Sequence, residues 1–246
     1  MMKLAIIAAM ERELEPLVEG WTLRSFDHGG TTFSGFETDD LIAVVGGIGG
    51  PRAELAARAV VEKFRPQVLI SAGFAGALIR SLKVASVVTP NVIVDSRTGT
   101  EYRCQTSGDL VGGGVLVSAP DIADADSKAR LAERFHGLVV DMEAATIAKI
   151  AEEFAIGFRC VKAISDEFDF FMPPMAPFVD ADGGFRTRRF AAWALCHPRY
   201  WPATVRLARN SHRAARALAD WLRRNLKNDL RQATVVTLGT AEHLKT

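Results

Sequence analysis

The stretch VVDMEAATIAKIAEEFAIGFRCVKAISDEFDF, Val139 to Phe170, decides the fold. Val139 and Val140 end a short apolar strand. Asp141 to Phe154 read as a helix, because Met142, Ala145, Ile147, Ala148, Ile150, Ala151 and Phe154 repeat at helical spacing and make one broad apolar face. Gly157 breaks that pattern, and Phe158 to Ile164 read as a buried strand. Each strand therefore leads to an acid, Glu143 after the first and Asp166 after the second. Ligands of open α/β sheets sit outside the carboxyl ends of strands, so two acids delivered there form a candidate site. Asp141 and Asp166 are equally suited to capping a helix and a turn.

Working outward, Leu4 to Ala9 predict a first buried strand and Met10 to Val18 a short helix or turn carrying Glu11, Arg12 and Glu13. Trp21 to Phe26, Thr31 to Phe36 and Leu41 to Val45 predict a meander, with turns at Gly29-Gly30 and Asp39-Asp40. Gly46-Gly47-Ile48-Gly49-Gly50 is a glycine loop, and Pro51 suits the first turn of a helix running to Phe64. Gln67 to Ala72 predict a strand closed by Gly73-Phe74-Ala75-Gly76. Val84 to Val94 predict one long β-branched strand, and Arg97 to Gly114 an edge excursion. Val115 to Ser118 predict a strand and Ala123 to Phe135 a helix. Strands alternating with helices imply a layered α/β sheet. Across 246 residues with 48% hydrophobic content, a single unit spanning 1–246 is expected.

The last third differs. Glu167 to Phe185 is dense in Phe, Met and Pro and cannot be a regular helix, so it is expected to be a ring-burying loop, either a lid or an interface. Thr204 to Leu226 predict a helix, with Leu207, Ser211, Ala214, Leu218, Trp221 and Leu222 on its inner seam and Arg206, Arg209, Arg213, Arg216 and Arg224 mostly on a solvated face. Asn228 to Thr246 carry little pattern. A net charge of +1 offers no bulk argument for nucleic acid or membrane. Cys104, Cys160 and Cys196 read as reduced thiols of a cytoplasmic protein. Leu4 to Met10 is too short for a membrane span. His28, His136, His197, His212 and His243 lack metal-ligand spacing, so no metal is implied.

Five segments, in order, carry a resemblance: Ile6-Ile7-Ala8-Ala9-Met10-Glu11-Arg12-Glu13, Gly47-Ile48-Gly49, Ala72-Gly73-Phe74-Ala75-Gly76, Val140-Asp141-Met142-Glu143-Ala144 and Ala163-Ile164-Ser165-Asp166. Together they resemble the nucleoside phosphorylase and nucleosidase superfamily, most closely its 5'-methylthioadenosine/S-adenosylhomocysteine nucleosidases. The tail from Pro198 through Arg206-Leu207-Ala208-Arg209 is more similar to the hopanoid-associated branch. The implied fold is a three-layer α/β arrangement, a mixed central sheet flanked by helices, as in purine nucleoside phosphorylases.

The resemblance also implies chemistry. An N-glycosidic bond between purine and ribose breaks with oxocarbenium character on the sugar, and the purine leaves well only when N7 is protonated. Asp166 would be that acid, its proton retained by burial under the segment beginning at Phe168. Glu143 would accept from the ribose hydroxyls, with Met142 packed on the sugar. Gly47, Ile48 and Gly49 would let backbone approach the ribose, although this loop also suits a plain strand-to-helix turn. Where the family's nucleosidases carry a serine that bonds the acid, this chain has Phe74, leaving Ser165 or Ser71 to substitute.

Glu13 would activate water; its position equally suits a first-turn helix acid. Phosphorylases of the superfamily place an arginine before the glycine turn, and Leu69 to Gly73 has none, though Arg12, Arg24 and Arg52 leave phosphate open. The expectation is a hydrolase acting on an adenosine-type nucleoside with an apolar 5' group. A phosphorylase or a non-catalytic nucleoside-binding protein are the alternatives. No cofactor, nucleic acid or membrane partner is implied. A homodimer is, with Val84 to Val94 a candidate contact.

Overall fold

Five consecutive apolar residues, all buried, make the first strand, β1 (Leu4–Ala8). The structure, a computed structural model, describes residues 3–105, 113–180 and 182–242. After β1 come a single helical turn, α1 (Glu11–Leu14), and the meander β2 (Thr22–His28), β3 (Thr31–Glu37) and β4 (Leu41–Val45). The glycine loop feeds α2 (Gly50–Phe64), which starts on the proline as expected, and β5 (Val68–Ala77) follows. Next are β6 (Val87–Val88), β7 (Val92–Asp95), β8 (Glu101–Arg103), β9 (Val115–Ser118), α3 (Ala125–Phe135), β10 (Gly137–Asp141), α4 (Ala144–Glu153) and β11 (Gly157–Asp166). Two helices, α5 (Thr187–Leu195) and α6 (Trp201–Glu242), complete the chain.

The strands form one mixed sheet in the order β2-β3-β4-β1-β5-β10-β9-β7-β8, with β11 paired to β5 and β6. Helices α2 and α4 cover one face, where Ala56, Val60, Ile147 and Ile150 pack with Ile42 and Leu69. Helix α6 covers the other, where Ala214, Leu218, Leu222 and Leu226 pack on Leu4, Ile6, Ile70 and Val161. This is the expected α/β class, a mixed sheet flanked by helices, and the expected face of α6 is the buried one. Arg206, Arg209, Arg213, Arg216 and Arg224 are all exposed.

Four boundaries differ. The strand expected to end at Ala72 runs through its glycines to Ala77, because β11 pairs with it from Val68 to Gly76. The long strand expected over Val84 to Val94 is two short ones. Ala85 takes a left-handed turn at φ 71°, and Pro90, which has no N–H to donate, separates β6 from β7. Its second part, β7, is flanked on both sides by β8 and β9 and is not a free edge. The helix expected from Asp141 starts at Ala144, since Val140 and Asp141 still pair with Val117 and Ser118 of β9. Helix α6 begins earlier and runs further than its apolar seam suggested, and α5 was not anticipated. Part of the polar excursion (106–112) lies outside the described residues; Glu101–Arg103 within it forms the edge strand β8.

Strand β5 is where the sheet opens. On one side β11 follows it almost throughout. On the other, β1 pairs only with Val68–Ser71, and β10 pairs only with Gly76 and Ala77. Ala72 to Ala75 therefore have no strand beside them on that side. The ends of β1, β10 and β11 all arrive at this gap.

Candidate active site

A cavity fills the gap. Its walls include Met10, Arg12 and Glu13 after β1, Phe74 to Gly76 of β5, Asp141, Met142 and Glu143 after β10, and Ser165 and Asp166 at the end of β11. The acids that the sequence singled out thus share one chamber, although they come from three separate elements.

Glu13 is buried. Its Oε2 accepts the Met10 N–H at 2.8 Å, which caps the first turn of α1. Its Oε1 accepts the Phe74 N–H at 2.7 Å, a group left free because no strand pairs there. The first-turn reading of Glu13 is therefore realised through Oε2, while Oε1 is held at the gap by backbone. Burial pushes its carboxyl above the ordinary glutamate range, although the two N–H donors pull the other way. Gly73 makes this approach possible. A Cβ at that position would lie 2.8 Å from Glu13 Oε1.

Asp141, rather than Glu143, caps α4. Its Oδ2 accepts the Ala144 N–H at 2.9 Å, its Oδ1 accepts the Ser118 hydroxyl at 2.6 Å, and Ser118 Oγ in turn accepts the Ala145 N–H at 2.9 Å. Lys162 on β11 completes the cluster, its Nζ 2.8 Å from Asp141 Oδ2 with both side chains buried. A buried ion pair with its remaining lone pairs satisfied is the tolerable form of charge in a core. Glu143 is consequently free to face the cavity, with Oε1 accepting the Gly49 N–H at 2.7 Å. Burial, and next the charge of Asp141, push its carboxyl up to about 7.

Asp166 is 5% exposed and ends β11 against Gly76. Its Oδ1 accepts the Ser165 hydroxyl at 2.7 Å. Its Oδ2 accepts the ammonium of Lys128, a residue of α3 that is itself only 1% exposed. Lys128 also donates to the Glu167 carbonyl at 2.7 Å. The expected arrangement was an acid desolvated by the segment beginning at Phe168 and bonded by a substitute serine; Asp166 is buried and bonded by Ser165, and in addition it sits in an ion pair with Lys128. Gly76 provides the room, because a Cβ there would come within 2.9 Å of both Asp166 Oδ2 and Lys128 Cε. Of the two serines expected to replace the absent one at position 74, Ser165 reaches Asp166. Ser71 is buried within β5, paired with Cys160 of β11.

The remaining expected residues divide. Met142, Ile48 and Phe74 line the cavity. Gly49 serves through its N–H to Glu143. Gly47 instead lies against Arg52 and the Asp182 carbonyl, and the Ile48 N–H donates to the Gly183 carbonyl at 2.8 Å, so the loop before α5 is fastened over the glycine loop. Phe168 is outside the cavity, with its ring under the Arg80 guanidinium at 4.9 Å. The segment after Asp166 supplies Met172, Met175, Val179 and Phe185 to the mouth, joined by Leu207 of α6. Its other rings pack outward, Phe171 on Tyr200 at 5.7 Å and Phe178 against Phe190 at 5.2 Å.

Of the three arginines that left phosphate open, Arg24 pairs with Glu37 on the meander at 2.5 Å, and Arg52 donates to the Gly46 carbonyl at 3.2 Å. Arg12 lines the cavity, 5.9 Å from the rings of Phe74 and Phe185. Sequence reading missed Lys128 and Lys162. Both had a signal. Lys128 occupies the first position of the apolar stripe completed by Leu131, Ala132 and Phe135, and Lys162, with Arg159, interrupts an otherwise apolar strand.

The family model of the phosphorylase superfamily matches residues 3–126. Among characterised proteins, an aminodeoxyfutalosine nucleosidase of Campylobacter jejuni is 25% identical over 69% of this chain and 90% of its own. A 5'-methylthioadenosine/S-adenosylhomocysteine nucleosidase of Lysinibacillus sphaericus is 26% identical over 71% of this chain and 94% of its own. The crystal structure of the Helicobacter pylori 5'-methylthioadenosine/S-adenosylhomocysteine nucleosidase with butyl-thio-DADMe-Immucillin-A superposes with a TM-score of 0.68 over 93% of this chain and 99% of that one, at 18% identity, a likeness of fold.

Proposed function

The chain belongs to the phosphorylase superfamily, and from that premise we propose that it is a purine nucleosidase, hydrolysing the N-glycosidic bond of an adenosine-type nucleoside that carries an apolar 5' group. The observation that carries this reading is the meeting of Glu13, Glu143 and Asp166 on one cavity at the opening of the sheet. Each answers one need of the reaction. Asp166 delivers a proton toward purine N7, Glu143 accepts from the ribose hydroxyls with Met142 against the sugar, and Glu13 takes a proton from the attacking water. The nucleosidases similar to this chain support hydrolysis over phosphorolysis. So does the absence of arginine from Leu69 to Gly73.

The mouth supports the 5' preference. Met172, Met175, Val179, Phe185 and Leu207 would favour apolar atoms, at about 0.8 kcal/mol per buried methylene. They leave a charged amino-acid tail without compensation for its lost hydration. A cytoplasmic location rests on reading the three cysteines as reduced thiols and a homodimeric state on the sequence resemblance, and sedimentation tests the second. The function is tested by incubating the protein with 5'-methylthioadenosine, with and without inorganic phosphate, and identifying both products. Adenine with free sugar at a rate indifferent to phosphate is expected. A sugar 1-phosphate formed only when phosphate is present would make it a phosphorylase instead, with Arg12 the first residue to examine. Saturable nucleoside binding with no product would make it a binding protein.

A further inference from the structure

We propose that Lys128 is the positioning residue of the reaction, supplying through Asp166 the proton that the departing purine needs. This rests on the nucleosidase reading above and deepens it. Both Asp166 oxygens accept hydrogen bonds, from Ser165 and from Lys128. A carboxylate held this way is an acceptor on each oxygen, and the adjacent bound proton available to it is on the Lys128 ammonium. Lys128 lines the same cavity, is almost wholly buried, and is fixed by its second bond to the Glu167 carbonyl. A buried lysine on the apolar stripe of α3 is costly unless its charge is matched, and here its match is the candidate acid itself.

The step balances as follows. A proton passes from Lys128 Nζ to Asp166 Oδ2 as Asp166 gives a proton to purine N7. The C1'–N9 bond breaks, its electron pair stays with the purine, and the base leaves neutral. Water adds to C1' and gives its proton to Glu13. Solvent exchange then carries a proton from Glu13 back to the Lys128 amine, so no net proton is gained or lost. Among the described residues, the other charged groups lining this cavity are Arg12 and Glu13 after β1, Asp121 before α3, and Asp141 and Glu143 after β10; beyond the lining, Lys162 lies on β11 and the Glu167 carboxylate pairs with Lys83 at 3.3 Å. Lys162 is engaged with Asp141, and Arg12 lies over Phe74 and Phe185.

The test compares wild type, Lys128→Met and Lys128→Arg on two substrates. One is 5'-methylthioadenosine, and the other is 4-nitrophenyl riboside, whose phenolate departs without a proton. For Lys128→Met, kcat on the purine nucleoside should fall by roughly 10²–10³, the scale of lost acid catalysis, with KM little changed. The ratio of its purine rate to its nitrophenyl rate should rise toward acid pH, because the purine proton must now come from bulk water, while the need for an ionised Glu13 is common to both substrates and cancels. The nitrophenyl substrate should be nearly unaffected, and Lys128→Arg, whose guanidinium keeps the ion pair but does not release its proton, should show the same selective loss on the purine nucleoside; recovery of the purine rate by arginine would overturn proton supply by Lys128. The ratio of the two substrates is taken within one protein preparation, so partial misfolding cancels, and Lys128→Arg serves if the methionine variant does not fold. Equal losses on both substrates, or an unchanged ratio and pH profile, would overturn the role of Lys128 while leaving the nucleosidase reading intact. Failure of the wild type to release base from any nucleoside would overturn that reading and the role of Lys128 with it.

Discussion

Glu13 and Phe74 stand 61 residues apart and are joined by a 2.7 Å hydrogen bond from the Phe74 N–H to Glu13 Oε1. The bond depends on backbone, so the residue type at 74 does not decide it. It depends instead on β5 having lost its strand neighbour at this point and on Gly73 leaving room for a carboxylate.

Replacing Glu13 with Gln should lower base release by about 10²–10⁴ while nucleoside binding persists, because the amide keeps the shape and loses the basicity. In the wild type, activity should rise with pH on the acid side, with an inflection above the ordinary glutamate range, since burial raises this carboxyl and only its ionised form accepts a proton. A variant that still hydrolyses at the wild-type rate would confine Glu13 to capping α1.

Gly76→Ala should reduce kcat more than it raises KM. Its new methyl would meet Asp166 Oδ2 and Lys128 Cε at 2.9 Å and push the acid from its place. Stopped assays over a range of substrate concentrations separate the two parameters. A wild-type kcat would show that the ion pair tolerates displacement.

Glu143 links stability to pH. Its carboxyl is raised to about 7 in the fold, so near the usual glutamate value the unfolded chain ionises first. Below that value both states hold the proton and the contribution is fully present. It is lost as pH rises through 7. Relative to Glu143→Gln, the wild type should therefore lose about 1–3 kcal/mol between pH 4.5 and 7.5, read from denaturant melts at each pH. A constant difference across that range would place the Glu143 carboxyl at its ordinary value.

Among 5' substituents, kcat/KM should rank methylthio and longer alkylthio adenosines above adenosine and S-adenosylhomocysteine. Met172→Ser or Met175→Ser should narrow the gap, whereas Phe168→Ala should not, because that ring lies against Arg80 and away from the cavity. Sensitivity to Phe168 would mean that the segment rearranges when substrate enters.

The sheet and its helices were largely legible because β1, α2 and α4 carry unbroken apolar periodicity and β11 an apolar run interrupted only by Arg159 and Lys162. Pro90 was visible yet underweighted, since β-branched residues on both sides of it masked the break. Helix α5 was not legible. Phe190 and Trp193 lie beyond the loop expected to end at Phe185, in a stretch for which no element was expected, and Phe178, Phe185 and Tyr200 close around them. Glu13, Glu143 and Asp166 stood out as acids at the ends of apolar runs. Their lysine neighbours did not, because a lysine on an apolar stripe announces itself as buried only when its counter-charge, 38 residues away for Lys128, is known. The capping of α4 by Asp141 was open in the sequence, and Ser118 settles it from another strand.

The exchange of partners along β5 has a consequence for how this protein can change. Gly73 and Gly76 both lie at the gap that β1 vacates and β10 has yet to fill, and, being three residues apart on a strand whose side chains alternate, they leave room on opposite faces, one for Glu13 and the other for Asp166 and Lys128. Deleting or inserting one residue anywhere from Val68 to Gly76 would turn that alternation over. It would present Cβ atoms to Glu13 and Asp166, and aim side chains now in the core at the wrong helices. Single substitutions can tune the mouth one methyl at a time, but the length of this strand is fixed. New specificities in this scaffold must therefore arise by altering the loop between β11 and α5, where added or lost residues leave the register of the sheet untouched.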